Sequence, residues 1–160
     1  MRSLRVGDVM SGSSGRSQRY MPIAKTTSWS TPEALFAHYC ATHGFFDDPC
    51  PLEGHGGLDR PWGQKTFVNP PYGRGIERWI ERAIAEAGRG KLVVMLLPAR
   101  TGNPWWAQVL EAAAEIHFIT GRLRFGGSKI NAPFDSVVAV FTRSNTRVVK
   151  TIGNFREGCR

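Results

Sequence analysis

The sequence predicts an α/β fold with a mostly parallel sheet, and two observations support this fold class. Short apolar runs suited to strands alternate along the chain with segments whose apolar residues recur at helical spacing, the pattern of strand–helix–strand units. The segment Lys91 to Pro98 is dominated by a continuous apolar run, as expected of a central strand covered on both faces. The length of 160 residues suits one compact domain with a substantial core.

The first predicted helix begins at Thr31, Pro32 and Glu33. Thr31 suits the N-cap, Pro32 the first helical position, and Glu33 the positive end of the helix. Gly44 is expected to end this helix. The next segment, Phe45 to Asp48, is predicted to form a short strand that a proline-rich turn then stops.

A glycine-rich loop over residues 51–65 follows, with Trp62 as its expected anchor. The next strand, Thr66 to Val68, is β-branched and aromatic, and two prolines stop it soon afterwards. The remaining predicted elements are a helix from Ile76 to Gly88, the strand from Lys91 to Pro98, a helix from Asn103 to Ala114, a strand from Ile116 to Thr120 and a last strand from Ser136 to Thr142.

Both ends of the chain are expected to lie outside the folded domain. Residues 1–28 are rich in Ser, Gly and Arg and are predicted to form a flexible basic tail. The folded domain is predicted over residues 29–143. Residues 144–160 are basic and lack a clear periodic pattern, so we expect a basic C-terminal tail there.

Charge and cysteine content restrict the partners and the compartment. There are 21 lysines and arginines against 13 aspartates and glutamates, a net charge of +8 that attracts polyanions such as DNA. The 3 cysteines and 4 histidines lack metal-ligand spacing, which favours a reducing cytoplasm and no metal site. We expect no membrane partner, because neither a signal peptide nor an apolar run long enough to span a bilayer is apparent.

The segment Asn69-Pro70-Pro71-Tyr72 directly follows the strand Thr66 to Val68. Each proline forces the residue before it into extended backbone, so Asn69 is held at the C-terminal end of a strand, where ligands of open α/β sheets bind. Asn69 and the Pro70 carbonyl offer hydrogen-bond acceptors, and Tyr72 projects a flat aromatic face. This clamp suits a planar group with an NH2, and the segment is typical of amino-group methyltransferases that use S-adenosylmethionine. The structural alternative is a proline turn capped by a packed Tyr.

The chain resembles the phage-type DNA adenine-N6 methyltransferases, the small Dam-like enzymes of phages and prophages. The resemblance runs from about Trp29 to Phe141, and its most specific block is Asn69 to Tyr72. The other matching segments are Trp29 to Pro32, Phe46 to Asp48, Gly57-Leu58 with Trp62-Gly63, Val93 to Pro98, Trp106, Gly121 to Phe125 and Ala132 to Ser136.

The resemblance implies a compact, Rossmann-like methyltransferase fold, S-adenosylmethionine as methyl donor, adenine in DNA as acceptor, and the cytoplasm of a bacterial host as location. It assigns catalysis to Asn69, Pro70, Pro71 and Tyr72. Adenine N6–H would donate to the Asn69 side-chain oxygen and the Pro70 carbonyl, and the flipped base would stack on Tyr72. The chain departs from the family pattern at residues 51–65, where a full methyltransferase sheet inserts two strand–helix units.

The resemblance also implies residues for the cofactor. One of Asp47 and Asp48 is expected to bind the amino-acid part or the ribose, and Asp48 is preferred because it is nearer the strand end. An exposed loop acid is the alternative for these carboxylates, and a plain helix cap is the alternative for the segment at Trp29 to Pro32. The full set of expected cofactor residues is Trp29, Thr31, Pro32, Asp47, Asp48 and Asn69.

Arg122 and Arg124 are the expected DNA-binding residues, because they flank Leu123 in a loop after a strand, where loops of this fold class face the ligand. A solvated basic loop is the alternative.

Two other functions remain open at this point. One is methylation of adenine in RNA or of a protein glutamine amide, since each presents an NH2 on a planar group. The other is non-catalytic DNA binding by a chain with a decayed cofactor site.

Overall fold

The computed structural model describes residues 29–44, 46–50, 56–126, 128–153 and 155. The predicted N-terminal tail over residues 1–28, part of the predicted loop over residues 51–65 and the last residues of the predicted C-terminal tail lie outside this description. The helices and strands, in chain order, are α1 (Glu33–His43), β1 (Lys65–Val68), α2 (Ile76–Gly88), β2 (Leu92–Pro98), α3 (Trp105–Ala112), β3 (Glu115–Ile119), β4 (Ser136–Phe141) and β5 (Val148–Ile152).

The strands form a single five-stranded sheet in the order β1-β2-β4-β3-β5. Pairing is parallel between β1 and β2 and between β3 and β5, whereas β4 is antiparallel to both β2 and β3. Four strands therefore run in one direction and β4 alone runs in the other. The predicted α/β class with a mostly parallel sheet is confirmed. The burial of a strand depends on its position in the sheet, and every residue of the central strand β4 is buried.

The start of α1 differs from the prediction by one residue. Pro32, not Thr31, occupies the N-cap position, and its carbonyl accepts hydrogen bonds from the backbone N–H groups of Leu35 and Phe36, each at 3.1 Å. Pro32 has an extended ψ of 128°, so the helix begins after it, and no side chain caps this end. The predicted end at Gly44 is confirmed by its positive φ of 85°, which glycine adopts without strain.

Phe45 of the predicted strand at Phe45 to Asp48 lies outside the described residues, and the described remainder forms a single parallel bridge between Asp47 and Thr66. The Asp47 N–H donates to the Lys65 carbonyl, and the Phe67 N–H donates to the Asp47 carbonyl, both at 2.9 Å. Pro49 follows closely, and its lack of an N–H prevents the ladder from continuing. The bridge is enough to place Asp47 and Asp48 beside the end of β1.

The strand β5 lies within residues 144–160, which were predicted to be a basic C-terminal tail. It pairs with β3 over its whole length, with Ile116 opposite Val149 and His117 opposite Lys150. Because β5 is an edge strand, three of its five residues are exposed, and its sequence shows no strong apolar alternation. Backbone pairing, which leaves no mark in the hydrophobic pattern, extends the sheet past residue 143.

A buried acid connects α2 to the start of β2. The Glu86 side chain is 1% exposed, and its carboxylate lies 2.8 Å from Arg82, 2.8 Å from Arg89 and 2.7 Å from Lys91. Burial alone would raise the pKa of Glu86, but the Lys91 hydrogen bond and the three positive charges outweigh it and hold the pKa below its ordinary value.

Trp62 anchors the loop before β1, as predicted. Its side chain is buried, its indole N–H donates to the Gly57 carbonyl at 2.7 Å, and its ring stacks on Trp79 of α2 at 6.1 Å. The Lys91 ammonium group donates to the Trp62 carbonyl at 2.6 Å.

Within the described residues, no helix is both long and apolar enough to cross a bilayer.

Replacement of Gly57 by Ala is expected to destabilise the fold, because the new Cβ would lie 2.0 Å from the Pro49 carbonyl oxygen and 2.7 Å from the Trp79 ring. Overpacking of this kind typically costs about 1–3 kcal/mol of unfolding free energy. The matched control is Gly102→Ala, since no heavy atom lies within 4 Å of a Cβ added at Gly102. Urea unfolding of both variants measures the difference, and equal stabilities would contradict the packing described for this loop.

Candidate functional site

The candidate site lies along one edge of the sheet. Since β1 and β2 are parallel, their C-terminal ends meet at this edge, with Val68 opposite Met95. Pro98, the last residue of β2, is opposite Ser136, the first residue of β4. The connection between β3 and β4 crosses the same edge. Asn69 to Tyr72, the end of β2 and the loop over residues 120–135 are thereby brought together.

Asn69 is buried, with only 8% of its surface exposed. Its side-chain NH2 group donates a short hydrogen bond to the Trp29 carbonyl. Its side-chain oxygen is also buried, and among the described residues it has no hydrogen-bond donor. A buried acceptor without a donor typically costs about 1–3 kcal/mol. The Trp29 carbonyl therefore fixes the amide so that a free acceptor remains at the end of β1, ready for a donor from a ligand.

Tyr72 is packed more deeply than the sequence suggested. We expected its ring to project beyond the strand, whereas only 9% of the residue is exposed. Its hydroxyl donates to the Leu96 carbonyl at 3.4 Å, and burial raises the pKa of the phenol, which stays neutral. The rings of Phe134 and Phe125 meet Tyr72 in edge contacts at 5.5 and 6.2 Å. Aromatic neighbours that sequence reasoning did not connect to Tyr72 explain this burial.

These aromatic contacts extend to Trp29. Its ring lies 5.3 Å from the ring of Phe125 and 6.1 Å from that of Phe134. The Gly126 N–H donates to the Ser30 carbonyl at 3.3 Å. We call Trp29, Tyr72, Phe125 and Phe134 the aromatic cluster. It joins the segment before α1, whose Trp29 carbonyl accepts from Asn69, to the loop after β3.

Phe134 was not predicted as a site residue, although it belongs to the matching block Ala132 to Ser136. The Arg100 guanidinium lies 5.6 Å from the centre of its ring, a cation–π contact at the end of β2. Pro70 is buried and Pro71 is half-buried. Membership of the matching block was the one signal in the sequence that pointed to Phe134.

Two clefts reach residues of this site, the first at Trp29, whose carbonyl holds Asn69, and the second at Tyr72. The first has a volume of about 370 Å³ and combines aromatic, hydroxyl, thiol and carboxyl groups. The second has a volume of about 240 Å³ and lies between the start of α2 and the start of α3. The first cleft is lined by Trp29, Ser30, Thr31, Glu33, Phe36, Asp48 and Cys50, and the second by Tyr72, Gly73, Arg74, Ile76, Glu77, Pro98, Arg100, Asn103 and Trp105.

The structure brings three of the predicted cofactor residues, Trp29, Thr31 and Asp48, into the first cleft. Pro32 is buried at the N-cap of α1 behind them and does not line the cleft. Asp48 accepts a hydrogen bond from the Cys50 N–H at 2.8 Å. Burial raises the pKa of Asp48 above its ordinary value. Burial, with Asp48 adding to it, raises the pKa of the Cys50 thiol to about 11, so the thiol stays protonated at neutral pH.

Asp47 contacts the loop before β1 and does not line the first cleft. One of its carboxylate oxygens lies 3.1 Å from Arg60, and the other accepts a hydrogen bond from the Gly63 N–H at 3.2 Å. Arg60 also donates to the Asp48 carbonyl at 2.6 Å. Asp47 thus fastens the loop before β1, whereas Asp48 faces the first cleft. This division favours Asp48 over Asp47 as the ligand-binding carboxylate.

The histidines take structural positions where they are described. His117 is buried and lies within hydrogen-bond distance of the Tyr39 hydroxyl at 2.6 Å and of Glu115 at 2.7 Å. Burial lowers the pKa of His117 below its ordinary value. Within the part of the chain that the structure describes, no group of three or more His, Cys, Asp or Glu side chains could hold a metal ion.

Comparison with known proteins is decisive for the family. The family model described as DNA N-6-adenine-methyltransferase (Dam) matches residues 18–152. The chain belongs to this family. It is 30% identical over 116 residues to a DNA N-6-adenine-methyltransferase of Escherichia phage T1, an alignment that covers 64% of this chain and 48% of the relative. The chain therefore spans about half the length of that relative.

A solved structure, that of a predicted O-methyltransferase from Agrobacterium tumefaciens, is also similar. The identity is 22%, the match covers 61% of this chain and 44% of the other, and the TM-score is 0.39. With a likeness this slight, the fold of the Dam-family chain is established by its own sheet order.

The two arginines predicted to bind DNA lie on the loop after β3 of this Dam-family chain. Arg122 is exposed and lies 3.5 Å from Asp135, and the Arg124 guanidinium donates to the Asn131 side-chain oxygen at 3.1 Å. Both side chains of the Arg122–Asp135 ion pair are exposed, so this pair is weak and leaves Arg122 able to bind another anion. Arg74 and Arg100, which sequence reasoning missed, are exposed in the second cleft.

Asp47→Ala is expected to lower the free energy of unfolding by about 1–2 kcal/mol, because it removes a charged acceptor from Gly63 and a partly exposed partner from Arg60. Asp48→Ala is expected to leave stability nearly unchanged, because the one hydrogen bond of its side chain among the described residues comes from the Cys50 N–H of its own turn. Thermal and urea unfolding of the two variants compare them directly. If Asp48→Ala is the less stable of the two, the division of roles between these carboxylates is wrong.

Proposed function

We propose that this chain transfers a methyl group from S-adenosylmethionine to the N6 atom of adenine in DNA. The observation that carries the proposal is the buried Asn69 oxygen at the end of β1, which has no donor among the described residues, while the amide nitrogen is held by Trp29 of the aromatic cluster. Membership of the Dam family supports adenine as the group that supplies this donor. The phage T1 relative, of which this chain spans about half the length, bears the same activity in its name.

The proposed role of Asn69 is to accept a hydrogen bond from the adenine NH2 group. The lone pair of this nitrogen is delocalised into the ring, and the nitrogen must become more tetrahedral to act as a nucleophile. Hydrogen bonds from N6–H to the Asn69 oxygen and to the Pro70 carbonyl strengthen as positive charge develops, so they stabilise the transition state more than the bound base. No strong general base is needed for this.

Asn69 is suited to this role because its amide cannot rotate freely. The Trp29 carbonyl occupies the NH2 end of the side chain, so the oxygen end is already oriented when the base arrives. A preoriented acceptor costs little reorganisation during the reaction. Pro70 and Pro71 contribute by keeping the backbone extended at this point.

We place S-adenosylmethionine in the first cleft, beside Trp29, Thr31 and Asp48. When bound, it supplies the electrophilic methyl group. The donor set of the cleft fits it, because Trp29 and Phe36 present aromatic surface, and Asp48 and Thr31 present polar groups for the amino-acid part or the ribose. Pro32 and Asp47 support these residues from behind, at the start of α1 and at the bridge to β1.

The adenine must leave the duplex to reach Asn69. We propose that it enters beside the second cleft, where the part of Tyr72 that is not covered by Phe125 and Phe134 can stack on it.

The net charge of +8 favours DNA over a neutral or basic protein as the substrate. Arg122 and Arg124 are proposed to bind phosphates of the strand, and the bacterial cytoplasm, where phage enzymes meet DNA, is the proposed location.

Asn69→Ala is expected to lower methyl transfer to DNA by about a hundredfold or more, the usual loss when one preoriented stabilising group is removed. Incorporation of labelled methyl groups into DNA measures this. The control is Asn145→Ala, which changes an exposed Asn in the turn after β4, at the opposite edge of the sheet. Transfer by Asn69→Ala at the rate of Asn145→Ala would remove the proposed mechanism.

Asp48→Ala is expected to weaken S-adenosylmethionine binding by about ten- to hundredfold, because a hydrogen bond to a charged group is worth about 1.5–3 kcal/mol. Calorimetric titration measures the dissociation constant, with the exposed turn residue Asp59 changed to Ala as the control. An unchanged constant for Asp48→Ala would show that the cofactor carboxylate lies elsewhere.

A further inference from the structure

Ile130 stands out among the exposed apolar residues of the described chain. It is 78% exposed, more than Val149 at 60%, Leu110 at 51% and Phe118 at 37%. Val149 and Phe118 are strand residues, and Leu110 belongs to α3. Ile130 alone of the four lies in the loop over residues 120–135, at the sheet edge that carries Asn69. An apolar side chain that stays this exposed gains little hydrophobic free energy on folding, so that gain is still available to a partner that covers it.

The loop that presents Ile130 is built on a packed base. Leu123 and Phe125 are buried on one side of the loop, Ala132 and Phe134 on the other, and the Ala132 N–H donates to the Leu123 carbonyl at 2.8 Å. This base includes half of the aromatic cluster, so it is fixed relative to Tyr72. The outer part of the loop is thereby held over the candidate site.

The outer part of the loop also has hydrogen bonds of its own. The Ile130 N–H donates to the Ser128 hydroxyl at 3.1 Å, and the Ser128 N–H donates to the Phe125 carbonyl at 2.9 Å. The Arg124 guanidinium donates to the Asn131 side chain at 3.1 Å. Ile130 is therefore presented from a partly ordered turn, which lowers the entropy cost of inserting it into a partner.

The charges around Ile130 identify the kind of partner. Lys129 is its exposed neighbour, and Arg122 and Arg124 lie at the base of the same loop. An apolar tip between basic residues is poorly suited to a hydrophobic protein surface but fits nucleic acid, where phosphates meet the cations and an apolar wedge enters between base pairs.

We propose that Ile130 inserts into the duplex beside the target adenine and occupies the space that the base leaves when it flips. This inference rests on the proposed function. Insertion of an apolar side chain replaces part of the stacking that the flipped base loses, and unstacking costs a few kcal/mol per step. Ile130 is thus a positioning residue, which acts by favouring the extrahelical base rather than by touching the reacting atoms.

The test uses a duplex whose methylated adenine has been located by sequencing DNA from cells that express the chain. Ile130→Ala is expected to lower kcat/KM on this duplex by about tenfold, equivalent to about 1.4 kcal/mol of lost stabilisation of the flipped base. Ile130→Leu should restore most of the rate. Val149→Ala, which shortens the other strongly exposed β-branched residue, is the control and should match the unchanged chain.

Two further measurements separate a wedge from a general defect. In a duplex with an abasic site opposite the target adenine, the base pair is already absent, so Ile130→Ala should lose far less activity. In a duplex with 2-aminopurine at the target position, the unchanged chain should raise the fluorescence on binding, and Ile130→Ala should raise it less at saturating protein. This second readout needs no methyl transfer.

The outcomes distinguish the inference from the function on which it rests. If the unchanged chain methylates the duplex and Ile130→Ala equals it in rate and fluorescence, the inference alone is overturned. An equal loss on the paired and abasic duplexes also overturns it, because the side chain then does not act on base flipping. If the unchanged chain methylates no DNA, the proposed function fails and the inference fails with it.

Discussion

The hydrogen bond from the Asn69 amide to the Trp29 carbonyl is the interaction on which the candidate site depends. It joins the end of β1 to the segment before α1, 40 residues earlier in the chain. It also orients the amide, so that a buried oxygen is left without a donor. The aromatic cluster holds Trp29 in place, and the prolines after Asn69 hold the strand end extended. This long-range hydrogen bond thus leaves the Asn69 oxygen as an acceptor whose orientation is already fixed.

The sheet order explains how distant segments converge on this acceptor. Because β1 and β2 end at the edge where β4 begins, the residues after β1, the end of β2 and the β3–β4 loop all contribute to one site. The bridge at Asp47 adds a further segment beside β1. The first cleft, which reaches Trp29, and the second cleft, which reaches Tyr72, are the separate places that we propose for the methyl donor and for the base.

Sequence reasoning located the helices and strands that are specified by their own residues. The strand before Asn69 is defined by β-branched residues and prolines, and β2 is defined by its continuous apolar run, so both were predicted from local physics. The N-terminal cap of α1 was misplaced by one residue because Thr31 and Pro32 are both good candidates and only the backbone angles decide. The edge strand β5 was missed because an exposed strand has no obligatory alternation.

The site was predicted less completely than the fold, for a physical reason. The role proposed for Asn69 follows from its position after a strand, but the burial of Tyr72 depends on Phe125 and Phe134, which lie more than fifty residues away in sequence. The division between Asp47 and Asp48 depends on contacts with Arg60 and Gly63 that no spacing rule specifies.

The most direct test of the central claim is analysis of nucleosides from unmethylated duplex DNA incubated with the purified chain and S-adenosylmethionine carrying a labelled methyl group. Digestion followed by mass spectrometry identifies the base and the atom that receive the label. We expect the label in N6-methyladenine. Label in a cytosine product, or no label in DNA under conditions where the chain binds the cofactor, would contradict the assignment of Asn69 as the acceptor for the adenine NH2 group.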